Sequence, residues 1–308
     1  MKKPPTNITH SIRDRLLKAA KANGEEFTYA LTRYGLERLL ARLAASPHSG
    51  EFVLKGAMLF RVWSPTLHRP TKDLDLLGSG SPSLERLAEL FADVCGVAVE
   101  DDGMVFDAKA VRAERIKEDA DYEGVRVTLR ATLGSARIDL QVDVGFGDAI
   151  SPGTVDIEFP TMLAMASPRL RAYPRETVVA EKVHAMVHLG IANSRMKDFF
   201  DLWFLARSFA FDGVTLATAI AATFARRKTS LPRALPLALT SEFSQDDSKQ
   251  KQWRAFRTRA GVTEQTLEAV VIALGPFLGP ALTAARAPAE FESSWAPPAG
   301  PWARAAGA

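Results

Sequence analysis

From Val125 to Val144 apolar and polar residues alternate so regularly that one local structure accommodates them. Side chains on a strand point to opposite faces in turn, so Val125, Val127, Leu129, Leu133, Ile138, Leu140, Val142 and Val144 share one face. Arg126, Arg130, Asp139, Gln141 and Asp143 share the other. Gly134-Ser135 interrupts the pattern at its midpoint and supplies the tight turn of a β-hairpin. A hairpin with one apolar face must bury that face against further strands and helices.

A second strand pattern carries chemistry. In Asp73-Leu-Asp75-Leu-Leu77 the two carboxylates point one way while Leu74 and Leu76 point into a core. Paired carboxylates repel one another unless a cation lies between them. Hard oxygen ligands suit Mg²⁺ (or Mn²⁺), and such a site suits phosphate chemistry. An Asp-x-Asp at a strand end is equally read as a solvated edge. The stretch upstream favours the chemical reading: Phe52-Val-Leu54 meets a small-residue turn at Lys55-Gly56-Ala57. Backbone N–H groups at a helix start there would hold phosphate oxygens. Asp143 lies where Val144-Gly-Phe-Gly147 bends the hairpin strand, and becomes a third carboxylate if the two strands are neighbours. Asp139 reads as a solvated polar face.

The rest of the chain reads as support. Helices are expected over residues 8–22, Thr28–Ala45 and Leu84–Val94, the last with Ser83 as its N-cap. The expected division is N-terminal helices packing on the catalytic domain (1–50), a catalytic core (51–150) and a Pro-rich connection (151–174). A helical C-terminal domain (175–290) and a disordered Pro/Ala/Gly-rich tail (291–308) complete it. The fold class is α+β, a mixed sheet with helices. The 308 residues are 47% hydrophobic and 24% charged, ordinary for a globular chain, with a net charge of +3 that permits a nucleic-acid partner without demanding one. The single Cys95 excludes an internal disulfide or a cysteine metal cluster. Met1-Lys-Lys3 is followed by no apolar segment of a signal peptide, and no apolar run approaches the roughly 20 residues of a membrane span. No membrane partner is expected, and the cytoplasm is the expected compartment.

Other candidates weigh less. His184 and His188 lie one helical turn apart, but the intervening residues lack the glutamate of a zinc protease and no third ligand is evident. Two partly buried histidines explain them. Lys182 on an apolar helix is either a surface lysine passing its neighbours or, beside a nucleotide, a phosphate-binding point charge. Asp198 and Asp201 share one face of the following helix. Gly56 opens no P-loop, since no Gly-Lys-Ser/Thr follows.

Five blocks in order resemble the AbiEii/AbiGii toxin family of nucleotidyltransferases, within the DNA polymerase β-like superfamily. They are Leu54-Lys-Gly-Ala-Met-Leu-Phe60, Arg69-Pro-Thr-Lys-Asp73-Leu-Asp75, Gln141-Val-Asp143-Val-Gly-Phe-Gly-Asp148, Tyr173 to Lys182, and Asn193 to Asp201. The resemblance implies a minimal nucleotidyltransferase fold followed by a helical C-terminal region. It implies the toxin of a toxin–antitoxin or abortive-infection phage-defence module, transferring NMP from an NTP to an RNA 3′ end, most fittingly of tRNA, and so blocking translation. By matching motifs, Asp73, Asp75 and Asp143 would be catalytic metal ligands for Mg²⁺ or Mn²⁺. Lys55, Gly56, Ala57 and Arg69 would face the phosphates, Lys182 would contact the triphosphate, and Asp198 would be the acidic residue of the helical motif. A cognate AbiEi-like, winged-helix antitoxin would be the partner. One departure stands out: relatives carry a hydroxyl residue at the phosphate turn where this chain has Ala57. An RNA acceptor predicts a basic groove, with Arg61, Arg69, Arg126, Arg130 and Arg226-Arg-Lys228 as candidates, whereas a small-molecule acceptor predicts an acidic pocket. Transfer to a protein side chain, nucleotide binding without catalysis, and metal-dependent hydrolysis of nucleic acid are the remaining readings.

Overall fold

A computed structural model describes residues 8–64, 68–119, 122–262 and 265–304. The expected elements are present near their expected bounds: helices α1 (Ile8–Ala22) and α2 (Phe27–Ala45), then strand β1 (Phe52–Lys55). A 3-10 turn at Gly56–Leu59 leads into the short helix α3 (Phe60–Trp63), followed by β2 (Asp73–Gly78) and α4 (Leu84–Cys95). Ser83 caps α4 by accepting a hydrogen bond from the backbone N–H of Arg86. Then come β3 (Met104–Asp119), β4 (Tyr122–Leu133) and β5 (Ala136–Phe146), with β6 (Val155–Glu158) and β7 (Arg169–Ala172) after them.

These strands form one mixed seven-stranded sheet, ordered β3-β4-β5-β2-β1-β7-β6. The hairpin closes with Leu133 opposite Ala136, and its apolar residues are buried as the alternation requires. Leu36, Leu39, Leu40 and Leu43 of α2 and Leu87, Phe91 and Val94 of α4 are buried with them, α2 packing on β5 and α4 on β3. Burying each such side chain stabilises the fold by about 1.5–3 kcal/mol. The apolar face is thus covered, and the polar face of β3, β4 and β5 stays open.

Most of strand β3 carries no alternation that the sequence alone would reveal. It is an edge strand, its register with β4 shifts between Asp107 and Arg112, and its charged residues face water, all of which erase the alternation. Residues 151–174 likewise prove not to be a simple connection. Pro160 lies just after β6 and Pro168 just before β7, two strands that pair with each other, and β7 runs parallel to β1 with Ala172 opposite Leu54. Proline cannot donate to a ladder, so here it marks strand ends.

The chain divides into two units: residues up to Gly147 with Val155–Ala172, and Asp148–Thr154 with the chain from Tyr173 onward. The second unit is helical, with α5 (Arg175–Leu189), α6 (Met196–Ser208), β8 (Phe211–Asp212) and α7 (Gly213–Arg226). The elements α8 (Ser241–Gln245), α9 (Asp247–Ala260), α10 (Leu267–Ala284), β9 (Ser293–Trp295) and β10 (Trp302–Arg304) complete it. Two expectations are corrected here. Helix α10 is, by length and composition, apolar enough to cross a membrane, with 18 residues at a mean hydropathy of 1.7. Interruptions at Gly275-Pro276 and Gly279-Pro280 hid this in the sequence, and Leu274, Phe277, Leu278 and Ala281 are buried in packing against α6 and α7. The stretch expected to be a disordered tail carries β9 and β10 instead, pairing as a three-stranded sheet with β8. Its tryptophans hold it: Trp295 Nε1 donates to the Ala206 carbonyl at 2.6 Å and Trp302 Nε1 to that of Phe277 at 2.9 Å. Residues 305–308 of that expected tail, and 1–7 of the first region, lie outside the described residues.

Candidate active site

The decisive neighbour relation is β2 against β5. The two strands run parallel, with Asp73 opposite Gln141 and Asp75 opposite Asp143. Residues directly opposite on a sheet project from the same face. The carboxylates of Asp73, Asp75 and Asp143 therefore converge, and one ligand oxygen from each lies within 4.8 Å of the others. Asp73 and Asp75 are partly exposed and Asp143 is buried. Three hard oxygen donors at that spacing fit a divalent cation such as Mg²⁺.

Register extends the site sideways. Lys55 on β1 lies opposite Asp75, Arg126 on β4 opposite Asp143, and Glu114 on β3 opposite Arg126. Arg126 grips Asp143 with two parallel hydrogen bonds, Nε to Oδ1 and a terminal nitrogen to Oδ2, both 2.9 Å. This bidentate pairing holds Arg126 still more firmly in its charged form. The Gln141 amide also donates to Asp143, at 3.1 Å, and the Thr71 hydroxyl donates to Asp73 at 2.6 Å.

Gly56 occupies the turn between β1 and α3 with φ +74°, a conformation that side chains disfavour. Space is the stronger reason for glycine: a Cβ there would stand 1.9 Å from Oδ2 of Asp75. The turn backbone thus lies directly against a carboxylate of the triad. Ala57 follows it, partly exposed, and Lys55 precedes it, buried. Arg69 is partly exposed in the segment leading to β2.

Lys182 and Asp198 belong to the second unit, and there the structure brings them together. Lys182 Nζ donates to Asp198 Oδ1 at 2.6 Å and lies 2.9 Å from Asp201 Oδ2. Asp201 is fully buried and Asp198 nearly so. His184 is buried on the same helix as Lys182, 2.8 Å from the Thr229 hydroxyl and ring-stacked on His188. Burial, with the Arg227 guanidinium nearby, pushes its pKa down to about 4, so it is a neutral core histidine.

Sequence reasoning missed the grip of Arg126, although a signal was available. A two-residue turn at Gly134-Ser135 sets Leu133 opposite Ala136, and counting back along both strands sets Arg126 opposite Asp143. The candidates for a basic groove separate in the same way. Arg130 pairs with Asp139 at 2.8 Å and, with Lys72, Arg112, Thr128 and Gln141, lines an open groove of about 610 Å³ on the polar sheet face. Arg61 instead is partly buried close to Arg33, Glu37 and Glu25, and burial lowers its pKa. Arg227 is tied to Asp148 at 3.2 Å within the second unit.

The family model described as nucleotidyl transferase AbiEii toxin, type IV TA system, matches residues 38–276. Similar solved structures include a candidate nucleotidyltransferase from H. pylori, 19% identical with a TM-score of 0.49, covering 83% of this chain and 96% of its own. JHP933 from Helicobacter pylori is also 19% identical, with a TM-score of 0.48, and covers 83% of this chain and 93% of its own. No curated protein matches. The converging carboxylates, the glycine turn pressed against them and a family match over most of the chain agree: this chain belongs to the AbiEii family of nucleotidyltransferase toxins.

Proposed function

We propose that this toxin–antitoxin nucleotidyltransferase transfers NMP from an NTP to the 3′ end of an RNA, with tRNA as the acceptor, and so stops translation. The observation that carries the reading is the convergence of Asp73, Asp75 and Asp143 beside the Gly56 turn. The three carboxylates would hold Mg²⁺ or Mn²⁺, which when bound supplies positive charge to the reacting phosphate and acidity to the attacking hydroxyl. The side chains themselves orient the site, with Thr71 holding Asp73, and Arg126 and Gln141 holding Asp143. At Gly56 and Ala57 the phosphates would meet backbone N–H groups, since no hydroxyl is present at that turn. Lys55 and Arg69 would add positive charge on the phosphate side.

The acceptor reading rests on the groove. Gln141, one of its lining residues, lies opposite Asp73, so the groove begins at the triad. Its charged residues are Lys72, Arg112 and Arg130 against the single carboxylate of Asp139. That excess of cations suits the phosphates of a nucleic acid better than a cationic small molecule. A cognate winged-helix antitoxin and phage defence complete the proposal.

The test is incubation of the protein with total cellular RNA, Mg²⁺ and each labelled NTP in turn, with Asp75→Ala as control. Label should enter one tRNA-sized band from one NTP, and the control should lose it by about 10²–10³-fold or more. Equal labelling by the control would sink the assignment.

A further inference from the structure

The row across the sheet reads Glu114, Arg126, Asp143, Asp75, Lys55, one residue from each of five adjacent strands. With Asp73 added, four carboxylates face two cations, leaving a formal deficit equal to one divalent ion. The protein thus carries part of the counter-charge for its own acidic centre. Arg126 bears most directly on metal binding, because both oxygens of Asp143 accept hydrogen bonds from it. A cation binding Asp143 must compete with that grip. About a third of the Arg126 side chain remains exposed, so it has room to move. Its other cross-strand neighbour is Glu114, an exposed carboxylate that also favours its charged form.

We infer that Arg126 is an exchangeable counter-ion: it neutralises and orients Asp143 when no metal is bound, and yields Asp143 to the metal by turning toward Glu114. Arg126 is then a positioning residue that sets metal affinity. The inference rests on the triad being the metal site, and the experiment separates the two claims.

The full chain is titrated with Mn²⁺ while free ion is followed by electron paramagnetic resonance, with circular dichroism reporting on the fold. Asp75→Ala tests the site itself and should lose Mn²⁺ binding. If it binds as wild type does, the triad is not the site and both claims fall. Arg126→Gln should bind Mn²⁺ about tenfold more tightly, since the competing charge-assisted pair is gone. Its melting temperature without metal should fall, and Mn²⁺ should recover it. Arg126→Lys, which keeps the charge without the fork, should lie between Arg126→Gln and wild type. Glu114→Gln removes the alternative partner and should weaken Mn²⁺ binding several-fold. An ordinary structural role for Arg126 predicts the opposite for the glutamine variant: a disordered Asp143 and weaker binding. Equal or weaker binding by Arg126→Gln overturns the inference, and unchanged binding by Glu114→Gln overturns the exchange.

Discussion

Two carboxylate groups in this chain look alike on paper and differ in the structure. Asp73 and Asp75 are two apart on a strand; Asp198 and Asp201 are three apart on a helix; each spacing puts both carboxylates on one face. In the first unit the pair meets a third carboxylate, and two of the three remain partly exposed. In the second unit Lys182 lies between the two carboxylates and all three groups are largely buried. The first cluster has the spacing and exposure that we propose accept a cation from solution. The second already contains its cation. An acidic cluster is therefore read by what neutralises it: a partly exposed partner such as Arg126 leaves room for exchange, and a buried internal one marks structure or a fixed charge.

The sharpest way to break this comparison is to open the closed group. Lys182→Met leaves Asp198 and Asp201 in a buried setting without the cation between them, and should cost about 3–5 kcal/mol in urea unfolding. A loss under about 1 kcal/mol, the size of an exposed pair, would show that the second cluster is as open as the first.

Gly56→Ala probes the open cluster in turn. The new Cβ must displace the Asp75 carboxylate or the turn, and misplacement by about 1 Å costs roughly 10²-fold in transfer rate. Steady-state transfer against a folding control measures it, and wild-type transfer would mean that Asp75 is not held where the structure places it.

A smaller effect sharpens the comparison by adding a buried carboxylate whose pairing is incomplete. Glu37 is buried, its Oε1 has no hydrogen-bond partner, and burial pushes its pKa up to about 7. A carboxyl whose folded pKa lies above its unfolded value near 4.5 favours the native state when protonated. Its contribution is fully present below pH 4.5 and is lost as the pH rises to about 7. The size is on the order of 1–3 kcal/mol. Glu37→Gln should flatten the dependence of unfolding free energy on pH across that window, and an unchanged slope would assign it to other groups.

Much of the site was legible beforehand because strand periodicity is a local property. The alternation from Val125 to Val144 implied the hairpin, its buried face and its polar face. The Asp73-Leu-Asp75 spacing implied two convergent carboxylates, and Gly56 implied a turn. What stayed hidden was either non-local or lacked a period. The edge strand β3 and the strands β6 and β7 carry too little burial to impose an alternation, and the final strands depend on two tryptophans meeting distant carbonyls.

The sequence by itself determined which faces carry charge, since each side chain's direction follows from its own backbone. Only the tertiary structure decided that β5 lies beside β2, because strand order depends on how the whole apolar face is covered by α2 and α4. That single adjacency set Asp143 next to Asp75, 68 residues away in the chain, and completed the carboxylate triad.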